Sequence, residues 1–227
     1  MGGRMQLAPM LKIGRGVSAI IGGGGKTTLM GTLARELSGK GSVIVTTTTH
    51  ILPPEDMTVL IDPDEAAVAA ALAKERVVCV GSCAAEGKLK ESGLSAEVLA
   101  HLADFVLIEA DGSRHLPFKA HREDEPCIPA CAQRVVLVVG ADGFGKAIRD
   151  VCHRSELYAA LADAKESDAV TPQLAARVIR AEGYGDRVFI NKTETPERYA
   201  FAQQLAAELD CPVVAGSLRE GIFVCLH

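Results

Sequence analysis

Short runs of aliphatic and β-branched residues recur along the chain: "VSAII", "SVIVT", "MTVLI", "RVVCV", "DFVLIEA", "RVVLVV", "RVFIN" and "PVVAG". They are continuous rather than alternating and are bounded by turn residues, the pattern of strands buried on both faces. Helical periodicity fills several of the gaps. Leu29, Met30, Leu33, Ala34 and Leu37 share one helical face, and Gly39 or Gly41 ends that helix. Ser95 reads as an N-cap, with Leu94 and Leu99 spaced as a hydrophobic staple. Thr171-Pro172 reads as N-cap and first helical residue, followed by Leu174, Ala175, Val178 and Ile179 on one side. Tyr199, Ala202, Leu205, Ala206 and Leu209 predict a last helix before "CPVVAG". Strands alternating with helices predict an α/β fold, a mostly parallel sheet with helices on both faces. One stretch has no period, "DGSRHLPFKAHREDEPCIPACA" from Asp111 to Ala132, and a loop of that length inside a compact fold is usually functional.

Composition narrows the classes. The 227 residues predict one domain over 1–227, and 48% hydrophobic residues supply its core. A net charge of −5 argues against nucleic acid as the partner, because neutralising phosphates needs a basic face. No apolar run approaches the ~20 residues of a membrane helix, and the opening "MGGRMQLAPMLKIGRG" carries no secretory pattern. A cytoplasmic protein is expected. The seven cysteines are odd in number and fall partly within strand-like runs, so reduced and mostly buried thiols are expected rather than a disulfide framework.

The strand at "VSAII" runs directly into Gly22, Gly23, Gly24 and Gly25, and Lys26-Thr27-Thr28 then opens a helix. Glycines allow backbone N–H groups to turn inward, and a helix N-terminus adds partial positive charge, so the segment reads as a phosphate-binding loop. It departs from the G-x-x-x-x-G-K-[ST] spelling, because Ile20 stands where the first glycine belongs. A shorter loop of this kind occurs in the Mur ligases, which the segment resembles locally. In a P-loop NTPase-like fold Lys26 would reach the terminal phosphates of GTP or ATP, and the Thr27 hydroxyl would join the shell of Mg²⁺. A second stretch, Gly140 to Ala147, has the full G-x-x-x-x-G-K spacing, but Ala147 replaces the metal-binding hydroxyl and the helix start behind it is weaker. It is expected at the pocket's edge, not as the main loop.

Three strand ends carry further polar groups. "DFVLIEADG" lifts Glu109 and Asp111 to the edge where ligands of open α/β sheets bind, so both are candidate catalytic and metal-binding carboxylates. "VTTTTHI" sets Thr48, Thr49 and His50 at another strand end; a substrate rim or metal-shell segment and plain β-branched strand residues both fit. In "RVFINKTETP", Asn191, Lys192 and Glu194 resemble the guanine-reading N-K-x-[DE] motif of GTPases. Alternatively, Asn191 braces the phosphate loop while Thr195-Pro196 caps the next helix.

Taken together, "GGGGKTTLM", "VTTTTHI", "LIEADGSRHLPFKAH", "EDEPCIP", "VVGADGFGK", "CHRSEL" and "INKTE" resemble the YqeC family, over roughly residues 13–195. The resemblance implies a P-loop nucleotide-binding domain that helps make or insert the cofactor of selenium-dependent molybdenum hydroxylases. A molybdenum hydroxylase, or its cofactor, is then the implied partner. It also directs attention to Arg114, Lys119, His121, His153 and Arg154 as substrate contacts, and basic groups beside a phosphate edge suit an anion. An ATP-dependent ligase or kinase with a Mur-like loop and a non-hydrolysing nucleotide-binding scaffold are the competing readings.

Overall fold

The computed structural model describes residues 6–227; residues 1–5, which open the segment read for a targeting signal, lie outside it. The first half of the chain supplies strands β1 (Gly16–Gly22), β2 (Val43–Thr47), β3 (His50–Ile51), β4 (Thr58–Ile61), β5 (Val77–Cys83), β6 (Leu89–Lys90) and β7 (Phe105–Glu109). The second half adds β8 (Phe118–Lys119), β9 (Ala132–Gly140), β10 (Cys152–His153), β11 (Arg187–Asn191), β12 (Val213–Ser217) and β13 (Ile222–Cys225). The helices are α1 (Leu7–Met10), α2 (Lys26–Ser38), α3 (Glu65–Lys74), α4 (Ala96–Leu102), α5 (Ile148–Val151), α6 (Ser155–Ala162), α7 (Pro172–Glu182) and α8 (Pro196–Glu208).

The main sheet runs β13-β12-β11-β9-β1-β7-β2-β5-β6-β3, with β4 also on β5. Every pairing from β12 through β5 is parallel; β13, β6 and β3 join antiparallel. The fold is thus the α/β, mostly parallel architecture that the hydrophobic pattern predicts, with a P-loop-type strand–loop–helix unit at its centre. Alternation along β1 shows how both faces are buried. Ile20 packs with Leu29, Leu33 and Leu37 of α2, while Ala19 and Ile21 join the cluster under α6, α7 and α8. Farther along that face Val17 packs with Val68 of α3 and Leu99 of α4. Each fully buried leucine of α2 contributes roughly 2 kcal/mol of apolar transfer.

The helix ends follow local chemistry. Ser95, Thr171 and Thr195 accept bonds from the amides of Val98, Leu174 and Arg198, and Asp64 does the same for Ala67 ahead of α3. Such caps are worth about 1 kcal/mol each. Gly39 ends α2 without a left-handed turn. All eight strands expected from the aliphatic runs form; β13 and the four two-residue strands had no such run to announce them. The expectation of mostly buried thiols is corrected: only Cys79 and Cys152 are buried, while Cys83, Cys127 and Cys225 are exposed. All seven are free. Burial pushes the Cys79 thiol up to about 12, so it behaves as a small apolar side chain.

Because β2, β7, β1, β9 and β11 run parallel, their C-terminal ends share one edge. That edge gathers Thr47, Glu109, the glycine loop, Gly140 and Asn191 from positions far apart in the chain.

Candidate functional site

The glycine loop wraps the N-terminus of α2. Gly24 takes φ +76 and its Cα lies against the backbone of Gly140, so a side chain there would collide with another strand end. Gly25, the residue preceding the helix, takes φ +123 beneath the Asn191 amide. A residue with a Cβ strains at such values, which is why these positions demand glycine. The amides then divide. Gly22 donates to Asp111 Oδ2 at 2.7 Å, Gly23 to the Val138 carbonyl at 2.8 Å and Gly24 to the Leu116 carbonyl at 3.1 Å. Those of Gly25, Lys26, Thr27 and Thr28 have no acceptor among the described residues. Four unpaired donors at the end of a thirteen-residue helix form a cradle for a multiply charged anion.

Lys26 is buried and folds back over its own loop. Its Nζ donates to the Gly22 carbonyl at 2.7 Å and sits 2.9 Å from Asp111 Oδ1, 3.5 Å from Glu109 Oε1 and 3.4 Å from Ser113 Oγ. Thr27 Oγ1 donates to Glu109 Oε2 at 3.1 Å. Burial raises the Glu109 carboxyl above its ordinary value; Lys26 opposes that rise and the neighbouring Asp111 charge adds to it.

Asp111 departs from its expected role. It is fully buried, and Oδ2 both accepts from the Gly22 amide and meets His121 Nε2 at 2.7 Å. Lys119 Nζ stands 3.5 Å away. Burial alone would raise this carboxyl, but the His121 hydrogen bond and the Lys26, Lys119 and His121 charges outweigh it and hold the group well below the usual carboxylate range. A carboxylate engaged in this way braces the loop from below, so the expectation that Asp111 is a metal ligand is corrected. Glu109 is the carboxylate beside the Thr27 hydroxyl.

Two expected substrate contacts are corrected on the same ground. His121 is sealed in, with Nδ1 2.9 Å from Glu182 Oε2 and its amide donating to Glu182 Oε1 at 2.6 Å. Lys119 Nζ is fully buried on Glu125 Oε2 at 2.7 Å and the Gly112 carbonyl at 2.7 Å. Both ring nitrogens of His121 face carboxylates, so the ring is a double donor. Burial lowers its pKa, and the bonds to Asp111 and Glu182 more than reverse that, leaving a net rise.

The other strand ends sort between their alternatives. Asn191 Nδ2 donates to the Gly24 carbonyl at 2.8 Å and its Oδ1 accepts from the Leu218 amide at 3.1 Å, which is the loop-bracing role. Lys192, in a left-handed turn, pairs with Asp142 at 2.7 Å. Glu194 is not free in water: it accepts from Ser217 Oγ at 2.7 Å and pairs with Arg198 at 3.5 Å. It borders a cavity of about 340 Å³ with Thr193, Tyr199 and Ser217. Thr47 Oγ1 donates to the Glu109 carbonyl and Thr48 Oγ1 to the Cys127 carbonyl, at 2.8 and 2.9 Å. These hydroxyls tie strand ends together, so a substrate role for Thr48 is not what the geometry favours. Thr49 hydrogen-bonds to Thr47, and His50 is exposed on β3. In the Gly140–Ala147 stretch, Gly140 donates to the Pro117 carbonyl and Gly145 to that of Val170, which binds the loop to the protein rather than to an anion.

Ser113, Leu116, Glu125 and Glu182 complete the site, and none was expected from the sequence. The first three lie in the aperiodic loop, whose length was the one hint; Glu182 ends α7 with no local signal. A cavity of about 420 Å³ beside Thr27 and Glu109, walled by Met30, Ile51 and Met57, was equally illegible.

The model of a family described as YqeC protein matches residues 18–156. The chain is 37% identical over 153 residues to the Uncharacterized protein YqeC of Escherichia coli (strain K12); the match takes in 63% of this chain and spans 59% of that protein's length. Among solved structures it is similar to the signal recognition particle 54 kDa protein from Aeropyrum pernix K1 in complex with GDP. There the TM-score is 0.44 at 14% identity, over 93% of this chain and 43% of that one, a likeness that carries no argument here.

The buried His121 yields a pH-dependent expectation. Its pKa is raised in the folded protein, so the stability it contributes is fully present below the ordinary value of 6.5 and is lost as pH rises through the folded value. His121→Gln should therefore lower the melting temperature most in mildly acidic buffer and progressively less in alkaline buffer. Thermal denaturation of both proteins across about pH 5 to 9 reads the difference; a gap that is constant or widens with pH would mean a neutral ring.

Proposed function

The chain belongs to the YqeC family, and on that premise we propose that it is a nucleoside-triphosphate-binding accessory protein. The single observation that carries this reading is the set of four unpaired amides of Gly25–Thr28, flanked by Lys26 and by the Thr27–Glu109 pair. The β- and γ-phosphates lie on those amides. Lys26 leaves the Gly22 carbonyl and turns to phosphate oxygens, while His121 and Lys119 keep the Asp111 charge compensated, so its departure strands no buried carboxylate.

Mg²⁺ fits this site. The ion usually takes one or two protein oxygens together with phosphates and waters, and Thr27 Oγ1 and Glu109 Oε2 stand 3.1 Å apart at the mouth of the loop. It would neutralise the charge that develops on the phosphates. Glu109 would help to hold the ion together with Thr27 and would orient a water for attack, and the raised affinity of its carboxyl for protons suits a group that handles them. The reaction class is phosphoanhydride cleavage in the cytoplasm. Its use in maturing selenium-dependent molybdenum hydroxylases is our reading of the family resemblance.

Lys26→Ala is expected to abolish the thermal shift induced by Mg·GTP and Mg·ATP while the free protein melts as a folded one. A ligand-induced shift of wild-type size in the variant would sink the assignment of the loop. Glu109→Gln should leave nucleotide binding largely intact and lower Mg²⁺-dependent turnover by ~10²-fold or more; equal hydrolysis would remove Glu109 from the mechanism.

Base choice rests on Glu194. Guanine offers N1–H and N2–H₂ donors that a carboxylate accepts together, and adenine offers an acceptor instead. Burial raises the Glu194 carboxyl, but the Ser217 hydroxyl, its own backbone and the nearby Arg219 and Arg198 charges lower it more, so it is ionised. Because Ser217 already occupies one oxygen, the expected GTP preference is mild, roughly tenfold, about the value of one hydrogen bond. Competition between GTP and ATP in wild type and Glu194→Ala measures it. An ATP preference, or undiminished discrimination in the variant, would show that Glu194 does not read the base.

A further inference from the structure

A second basic region lies beside the glycine loop and is not part of it. It is a cavity of about 670 Å³ lined by Arg114, Leu116, Arg122, His153, Arg154 and Glu156, among other residues, and no glycine-loop residue borders it. Among the lining residues three guanidiniums stand with one carboxylate, and since Glu125 and Asp124 outside the lining pair with Arg154 and Arg122, Arg114 is the positive charge left without a carboxylate. The arginines are not equally engaged. Arg154 Nη2 donates to Glu125 at 2.9 Å, whereas its Nη1 is buried with no hydrogen-bond partner among the described residues. A buried guanidinium N–H left unpaired is costly, and a ligand oxygen would relieve it. Arg114 is exposed and has no ion-pair partner among the described residues; Arg122 holds only the exposed Asp124, at 3.2 Å.

The backbone points the same way. Arg154 stands at φ +62 immediately before α6, and no side chain caps that helix. The amides of Ser155, Glu156 and Leu157 have no acceptor among the described residues. His153 sits in the same positive field: burial lowers its pKa, and Lys119, Arg154 and Arg114 lower it further. The wall shared with the nucleotide site is the Ser113–Pro117 segment. Leu116 supplies the carbonyl that holds the Gly24 amide, and Ser113 reaches Lys26.

We propose that this cavity is a second anion site, which takes a small molecule through a phosphate group held by Arg114, Arg154 and the first-turn amides of α6. A guanidinium fork and a helix N-terminus are together suited to a tetrahedral dianion. The volume exceeds what a bare phosphate fills, so the group is carried on a larger ligand, as a phosphate monoester. That this ligand is the one on which nucleotide cleavage acts rests on the reading given under Proposed function; the binding itself does not.

Calorimetric titration with phenyl phosphate and with inorganic phosphate tests the site, using wild type, Lys26→Ala, Arg114→Ser and Arg154→Gln. Wild type and Lys26→Ala should bind phenyl phosphate alike, and more tightly than inorganic phosphate. Arg114→Ser and Arg154→Gln should each weaken it by about tenfold or more, the loss of one charge-assisted contact. Arg154 also holds Glu125, so Arg114→Ser, an exposed and unpaired position, keeps the test readable if Arg154→Gln unfolds. The site is overturned if wild type binds no phenyl phosphate at millimolar concentration, if inorganic phosphate binds as tightly as the monoester, or if binding disappears in Lys26→Ala and survives in Arg114→Ser. Failure of wild type to bind Mg·nucleotide would instead sink the loop assignment and leave this measurement readable.

Discussion

The site depends on one buried carboxylate. Asp111 leaves the end of β7 and turns beneath the glycine loop, where it holds the Gly22 amide, faces Lys26 and is itself held by His121 and Lys119. A charge with no exposure persists only when it is paired and hydrogen-bonded. Here the compensation comes from four segments: β1, the start of α2, the aperiodic loop, and α7 through Glu182 behind His121. With Lys26, Lys119 and His121 all within 3.5 Å, the charge stays compensated when one of them turns away and is stranded only when the group fails together. The loop's conformation and the order of the Asp111–Ala132 segment are therefore one problem.

That coupling bears on how a ligand would be handled. The first three glycine amides are spent on the protein, on Asp111, Val138 and Leu116, and only the next four remain for an anion. Asn191 fixes the same loop from the opposite side, its Nδ2 donating to the Gly24 carbonyl while its Oδ1 accepts from the Leu218 amide, so the end of β11 and the residue after β12 are tied to the loop. The Ser113–Pro117 segment lies between the loop and the arginine-lined cavity and contacts both.

Much of this was legible in the sequence, for local reasons. Continuous aliphatic runs announce strands buried on both sides, and a period of 3.6 with Thr-Pro or Ser at the start announces helices; both signals lie within a dozen residues. The glycine loop was equally local, because strand, four glycines and Gly-Lys-Thr stand in a row, and so the shortened spacing did not hide it. The fully spaced stretch at Gly140–Ala147 is the weaker candidate on equally local grounds, because Ala147 replaces the hydroxyl and the helix start behind it is poor.

What only the tertiary structure decided is which polar groups belong to the ligand and which to the fold. Lys119, His121, Arg114 and Arg154 are all basic residues of motifs that look alike on paper. Folding buries Lys119 and His121 against Asp111, Glu125 and Glu182, leaves Arg114 exposed, and leaves Arg154 Nη1 buried without a hydrogen-bond partner among the described residues. Glu109 and Asp111, two residues apart, part in the same way, one toward the Thr27 hydroxyl and the other under the loop. Hydrophobic period is a property of neighbours in the chain and survives in the sequence. Charge compensation is a property of neighbours in space, and partners such as Glu182 and His121, 61 residues apart, meet only when the sheet edge is assembled.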